Sequence, residues 1–145
     1  MTDPKVTLAV GAVIFRGDDE VLLIQRGRPP FVGHWSIPGG KVEYGEPMET
    51  ALHREIAEET GVEIEVLGLI DAFEALPEAE GAPHHVMVDY ACAYKGGVLT
   101  PGDDAMDAAF LPLPEALSRV AWDKTRRAVQ LALPFVRRRR NVEAG

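Results

Sequence analysis

The order of elements in this sequence predicts an α/β fold, a sandwich with helices packed on a mixed β-sheet. Three observations predict it. Short apolar runs have strand character, a central segment changes to a helical apolar period, and two further helical segments close the chain. Val6 to Arg16 is apolar and rich in β-branched residues, and reads as a strand. Gly17-Asp18-Asp19-Glu20 turns the chain, and Val21 to Arg26 completes a hairpin. Gly27 to His34 reads as a loop through Gly27, Pro29, Pro30 and Gly33. A short strand at Trp35 to Ile37 and a second loop at Pro38-Gly39-Gly40 follow. Pro47 suits the first position of a helix and Gly61 the left-handed position just past its end. Val62 to Ala75 reads as one or two strands, Glu78 to Pro83 as a loop and His85 to Lys95 as a strand. Gly96-Gly97 turns the chain again, Pro101 to Asp107 is an acidic loop, and Ala108 to Leu111 is a short strand. Pro114 to Arg119 and Asp123 to Arg138 read as helices, the second amphipathic through Val129, Leu131, Leu133 and Val136.

Composition narrows the function classes. A chain of 145 residues fits one domain, spanning 1–145, and 46% apolar with 26% charged residues is the balance of a globular protein. Met1-Thr2-Asp3-Pro4 carries no positive n-region, and no apolar stretch approaches the ~20 residues of a membrane helix. One cysteine, Cys92, excludes an intrachain disulfide framework and suits a reducing cytoplasmic compartment. The net charge of −8 is unevenly placed: from Lys124 onward there are seven Lys/Arg and one acid, so the remainder carries eight bases and twenty-two acids. A body this acidic repels extended nucleic acid, yet holds a small polyphosphate if a divalent cation sits between. Arg137-Arg138-Arg139-Arg140 reads as a solvated helix C-terminus, where cations meet the negative end of the dipole.

The segment from Pro47 to Thr60 contradicts the rules of helix stability. Met48, Leu52 and Ile56 form an apolar stripe, and Glu55 and Glu59 fall on or beside it. Acids at a helix C-terminus face the negative end of the dipole, at a cost of roughly 0.3–1 kcal/mol each. Glu55 and Glu59, four apart, add like-charge repulsion. Arg54 pairs with Glu58 across one turn, but a single arginine does not neutralise three glutamates. A solvated acidic face would keep its carboxylates off the apolar stripe. This one does not, and the missing charge is most simply a hard divalent cation, since every ligand offered is oxygen.

These residues carry a resemblance. The run Gly40-Lys-Val-Glu-Tyr-Gly-Glu46, seven further residues, then Arg54-Glu55-Ile56-Ala-Glu58-Glu59-Thr-Gly61-Val62 resembles the Nudix box, residues 40–62, at every defined position. The lead-in Gly33-His34-Trp35-Ser36-Ile37-Pro38-Gly39-Gly40 is similar to that of the same hydrolases. The resemblance implies a Nudix-type α/β/α sandwich that cleaves a nucleoside diphosphate linked to another moiety, with Mg²⁺ or Mn²⁺. It implies that Glu55, Glu58 and Glu59 hold the metal, helped by the Gly39 carbonyl, and that Arg54 orients them through ion pairs with Glu58 and Glu46. Gly61 would end the helix, while Ile56 and Val62 anchor it.

The general base stays open. Glu55 is one candidate; Asp103, Asp104 and Asp107, or Glu74, Glu78 and Glu80, are others on later loops, with Asp104 ranked first. Arg26 and Arg28 flank the entrance and could fork onto phosphate oxygens, and Phe31 could stack on a base. Trp35 reads as a packing residue and Cys92 as a small buried hydrophobe. His84-His85 lacks the partners of a zinc site. The chain looks most like the ADP-ribose pyrophosphatase branch. A MutT-like nucleoside-triphosphate pyrophosphatase and a nucleotide-sensing module without turnover are the alternatives. A homodimer is expected only from the family resemblance.

Overall fold

The sheet is organised around a strand that is buried on both faces. In the computed structural model, which describes residues 5–27, 32–102 and 104–144, β1 runs Val6–Arg16. Its Val10, Ala12 and Ile14 point into one core and its Val13 and Phe15 into another. This double burial is why the sequence there is a continuous apolar run and not an alternating one.

The remaining strands are β2 (Glu20–Arg26), β3 (Trp35–Ser36), β4 (Gly39–Lys41), β5 (Val62–Ala75), β6 (His84–Gly97) and β7 (Ala105–Pro112). Among the described residues they form one mixed sheet in the order β3-β2-β1-β6-β5, with β4 paired to β1 and β7 to β2. Of these strand pairings, β1 with β6 is parallel and the others are antiparallel.

Helix α1 (Met48–Thr60) covers one face through Ala51, Leu52 and Ile56. Helices α2 (Leu113–Arg119) and α3 (Asp123–Ala144) cover the other through Ala116, Ala128, Val129, Ala132 and Val136. The α/β sandwich expected from the sequence is therefore the observed fold. No helix among the described residues is long and apolar enough to cross a membrane.

Several boundaries differ from the sequence expectation, each for a physical reason. Pro38-Gly39-Gly40 does not stay a loop, because Gly39 and Gly40 enter β4 opposite Gly11 and Val10. Glycine there serves close backbone approach, since a Cβ on Gly39 would overlap the Val10 carbonyl oxygen. Gly96 and Gly97 do not turn the chain but pair with Glu63 and Val62 at the end of β6. The acidic segment before Ala108 is partly strand, since β7 begins at Ala105. Helix α3 continues past Arg138 to Ala144 despite Pro134. Its buried face is carried by alanines and valines, while Leu131 and Leu133 are only half-buried. In α1 the stripe begins at Ala51: Met48 is 37% exposed, and Pro47 sits at the N-cap.

Gly61 ends α1 at φ 75°, and its N–H donates to the Ala57 carbonyl (3.0 Å). Its position is doubly demanding, because an added Cβ would lie 2.6 Å from the Val98 carbonyl oxygen. Gly61→Ala should therefore destabilise the fold by about 1–2 kcal/mol or more and lower the melting temperature by several degrees, as calorimetry would show.

Candidate active site

The C-terminal end of α1 is held by one side chain of its own and by two backbone groups from outside the helix. Thr60 Oγ1 donates to the Ile56 carbonyl (2.6 Å), Gly102 N–H to the Glu59 carbonyl (2.8 Å) and Thr100 N–H to the Thr60 carbonyl (2.8 Å). The two backbone bonds satisfy carbonyls that a helix end leaves without intrahelical partners. They also dock the 100–102 segment on the helix end, which brings Asp104 beside the glutamates. Glu55, Glu58, Glu59, Gly102 and Asp104 line one cleft of about 370 Å³.

Arg54 is the clamp of this cluster. Its Nε and Nη2 grip Glu46 Oε2 and Oε1 at 2.7 and 2.9 Å, a fork-on-fork pair, while Nη1 donates to Glu55 Oε1 at 2.8 Å. Nη2 also donates to the Lys41 carbonyl (3.2 Å), tying the helix to β4. The hydrogen bond to Glu58 is the longest of the set at 3.4 Å, and Glu58 is 61% exposed. The order of partners thus differs from the sequence expectation, which puts Glu58 first. Glu46 leads because its loop folds back onto the arginine, with the Glu43 N–H also donating to Glu46 Oε1 (3.1 Å). Those hydrogen bonds, Arg54 first, hold the Glu46 carboxyl down at about 2. In return the Glu46 bond, with Glu55 adding to it, pushes the Arg54 guanidinium further up.

Glu59 has the opposite environment. Burial pushes its carboxyl up to about 7, and the neighbouring Glu55 and Asp104 charges add to the rise. The Gly39 N–H, which donates to Glu59 Oε1 at 2.9 Å, and the charge of Arg26 work against it. The Gly39 link runs through its N–H; its expected carbonyl role is a separate matter of metal binding. Gly40 has room for the site only because it is glycine, since a Cβ there would fall inside the Glu55 carboxylate.

The donor set is all oxygen and carries excess negative charge, which is the chemistry that suits a hard divalent cation. Among the described residues no three acidic, His or Cys side chains already converge into a metal-holding group. Glu55 is turned to Arg54 and Glu59 to Gly39. The residues therefore fit such a cation in type, with side-chain rotation left to complete the ligand set.

The other expected residues separate cleanly. Asp104 lines the cleft, and Arg26, at the end of β2 opposite Ala105, lies close enough to act on Glu59. Arg28, Phe31 and Asp103 lie outside the described residues. Asp107 pairs in β7 opposite Gln25, its Oδ1 accepting from the Ala108 N–H, and does not line the cleft. Neither do Glu74, Glu78 and Glu80; Glu74 Oε2 instead meets His84 Nε2 at 3.2 Å. Trp35 packs half-buried with the Arg119 guanidinium 5.3 Å from its ring centroid, and Cys92 is fully buried. Arg139 at the basic end of α3 pairs with Glu65 (2.7 Å). Sequence reasoning misses Asp89, an acid inside the apolar run of β6, whose lone charge is the available signal.

A model of the NUDIX domain matches residues 5–132. The chain belongs to the Nudix hydrolase family. It is 38% identical over 116 residues to an ADP-ribose pyrophosphatase of Methanocaldococcus jannaschii, covering 80% of this chain and 67% of that protein. It is 32% identical over 120 residues to an 8-oxo-dGDP phosphatase of Danio rerio, covering 83% of this chain but only 33% of the fish protein. Among solved structures, a MutT NUDIX hydrolase from Burkholderia pseudomallei superposes with a TM-score of 0.73 at 31% identity, over 88% of this chain and 98% of that one. The NUDIX domain of Shewanella oneidensis NrtR, solved with ADP ribose, gives 0.72 at 26% identity over 90% and 88%. The Nudix relatives are named as pyrophosphatases and diphosphatases, and this chain is an enzyme of that class.

Two outcomes follow from the electrostatics. Arg54→Ala strands Glu46 and Glu55 without their cation and should lower the melting temperature of the metal-free protein. Glu59 behaves differently with pH. Its folded value of about 7 stands above the ordinary 4.5, so the folded chain keeps a proton that the unfolded chain has released. Metal-free stability should fall as pH rises from about 4.5 to about 7 and then level off. Asp89, raised from 3.8 to about 7 by burial, contributes in the same direction. Glu59→Gln should flatten part of that fall, by on the order of 2–3 kcal/mol, in thermal melts run with a chelator.

Proposed function

We propose that this Nudix enzyme hydrolyses the pyrophosphate bond of ADP-ribose or a related dinucleotide, with Mg²⁺ or Mn²⁺ held by Glu55, Glu58 and Glu59 and the Gly39 carbonyl. The observation that carries the reading is the convergence of Glu55, Glu58, Glu59 and Asp104 on one cleft, with Arg54 fixing Glu46 and Glu55 behind it. The choice of substrate is supported by the ADP-ribose pyrophosphatase that shares 38% identity over most of this chain. The NrtR domain solved with ADP ribose adds to that support.

A diphosphate brings negative charge into a cleft already negative. The cation, when bound, screens that charge and lowers the pKa of a water. Arg54 keeps the carboxylates in place by ion pairing, and Arg26 at the rim offers the substrate a positive charge. The attacking water gives its oxygen to one phosphorus, the bridging oxygen leaves with the other phosphate, and the water proton passes to a carboxylate. Asp104 and Glu55 are the bases on the cleft wall. Because the Glu59 carboxyl is pushed up to about 7, a proton would compete with the cation for its oxygens near neutrality. The enzyme is read as working in the cytoplasm; a homodimer remains an expectation of the family.

A product-resolved assay tests this. ADP-ribose with Mg²⁺ should give AMP and ribose 5-phosphate, with none in chelator, and Glu59→Gln should lower kcat by about a thousandfold or more while the fold persists. Preferential release of pyrophosphate from a nucleoside triphosphate, or of phosphate from 8-oxo-dGDP, would replace the substrate assignment. Full activity in Glu59→Gln would refute the metal site.

A further inference from the structure

Asp89 lies in the middle of β6, on the face opposite α1. Val88, Tyr90 and Cys92 point into the α1-side core, whereas Ala91 points into the core under α2 and α3, so Asp89 shares that second face. It is 5% exposed. A buried carboxyl in this setting needs hydrogen-bond donors, and among the described residues Asp89 has none. Yet no side-chain nitrogen or oxygen there is both sealed from solvent and without a hydrogen bond. The Asp89 carboxyl therefore keeps a narrow opening to solvent while its surroundings are apolar.

The neighbours make room for it. Gly11, its register partner on β1, has no side chain, and a Cβ there would stand 2.5 Å from Asp89 Oδ1 and 3.0 Å from Ile37 Cδ1. Asp71, opposite on β5, is exposed and uses its Oδ1 to accept from the Ala72 N–H. One step along the same face, Phe73 stands opposite Met87, and Phe73, Ile37 and Trp35 belong to this core. The carboxyl thus lies beside Gly11 and Ile37 as a polar point on an otherwise apolar face of the sheet.

Its place relative to the chemistry is fixed by the sheet. Asp89, Gly11 and Gly39 form one row across β6, β1 and β4, and Gly39 is the residue whose N–H holds Glu59. Two strand spacings separate Asp89 from Gly39, about 10 Å, the span from a nucleobase to the phosphate it carries.

We infer that Asp89 is a specificity residue of this site, accepting hydrogen bonds from the exocyclic amine of the substrate's nucleobase. The inference rests on the ADP-ribose reading, in which adenine presents that amine. Burial holds the carboxyl up to about 7, so it is ionised, and only an acceptor, above that pH. A keto group in the amine's place would then meet an acceptor with an acceptor, the mismatch that a site built for a hydrogen bond rejects.

The test compares ADP-ribose with its hypoxanthine analogue, which carries a keto group at that position, at about pH 8.5 with Mg²⁺. Wild type should show a KM at least tenfold lower for the adenine compound. Asp89→Asn should raise the KM for ADP-ribose about tenfold, leave kcat within about twofold, and abolish the preference between bases. Asp89→Leu should do the same to the preference, and melting curves on both variants report whether the fold survives. An unchanged KM and base preference in either folded variant, with only the melting temperature moved, would make Asp89 a structural residue and overturn the inference. That result leaves the ADP-ribose reading standing. A wild type that cleaves neither compound overturns both.

Discussion

Three carboxylates must be kept at the negative end of a helix, and most of the molecule is arranged so that they stay there. The helix dipole, mutual repulsion and partial burial all oppose it. The opposing forces are Arg54 on Glu46 and Glu55, the Gly39 N–H on Glu59, and the Gly102 and Thr100 N–H groups on the carbonyls of the last turn. They come from three places: α1 itself, whose Arg54 is braced by Glu46 of the preceding loop, strand β4, and the segment leading to β7. The fold therefore delivers three backbone or side-chain anchors to one helix end, and that convergence defines the cleft. The environments of the carboxylates diverge as a result. Glu46 is held well below the usual carboxylate range, and Glu59 is held well above it. One is a partner of an arginine; the other, on the proposed function, is where a proton and a cation would compete.

The site is legible in the sequence because its chemistry conflicts with local stability. Glu55 and Glu59 on an apolar stripe lead to the expectation of a cation from local pattern alone, and the spacing around them identifies the family. The strands β1, β2, β5 and β6 are legible for the same kind of reason, as runs rich in apolar residues. What stays hidden depends on contacts between distant segments. Gly39 and Gly40 read as turn residues, since glycine's local signal does not distinguish a turn from a backbone packed against a neighbouring strand. The primacy of Glu46 over Glu58 depends on a loop folding back, which the i,i+4 rule does not see. Asp89 is one acid in an apolar strand, and its meaning comes from Gly11, distant along the chain and adjacent in space.

The relatives set the class of chemistry more firmly than the substrate. Proteins similar to this chain are named for ADP-ribose, for 8-oxo-dGDP and for RNA pyrophosphohydrolysis. A shared cleavage machinery leaves selection to side chains outside α1. In this chain Asp89 stands in one row with Gly11 and Gly39, and the inferred base selection would be joined to the glutamates through that row. The acidic body offers little attraction to a bare polyanion, so a divalent cation of the kind Nudix hydrolases generally use would serve substrate capture as well as the reaction.

The central claim is that Glu59, a proposed ligand of the divalent cation, holds a proton near neutrality. Calorimetric titration of the wild type with Mn²⁺, at about pH 6.5 and in buffers of different ionisation enthalpy, measures exchange of that proton for the cation directly. Binding should release a fraction of a proton per cation, the release should vanish at about pH 8.5, and Glu59→Gln should abolish it. Binding of Mn²⁺ with no proton release at the lower pH, or with release unchanged in Glu59→Gln, would contradict the claim.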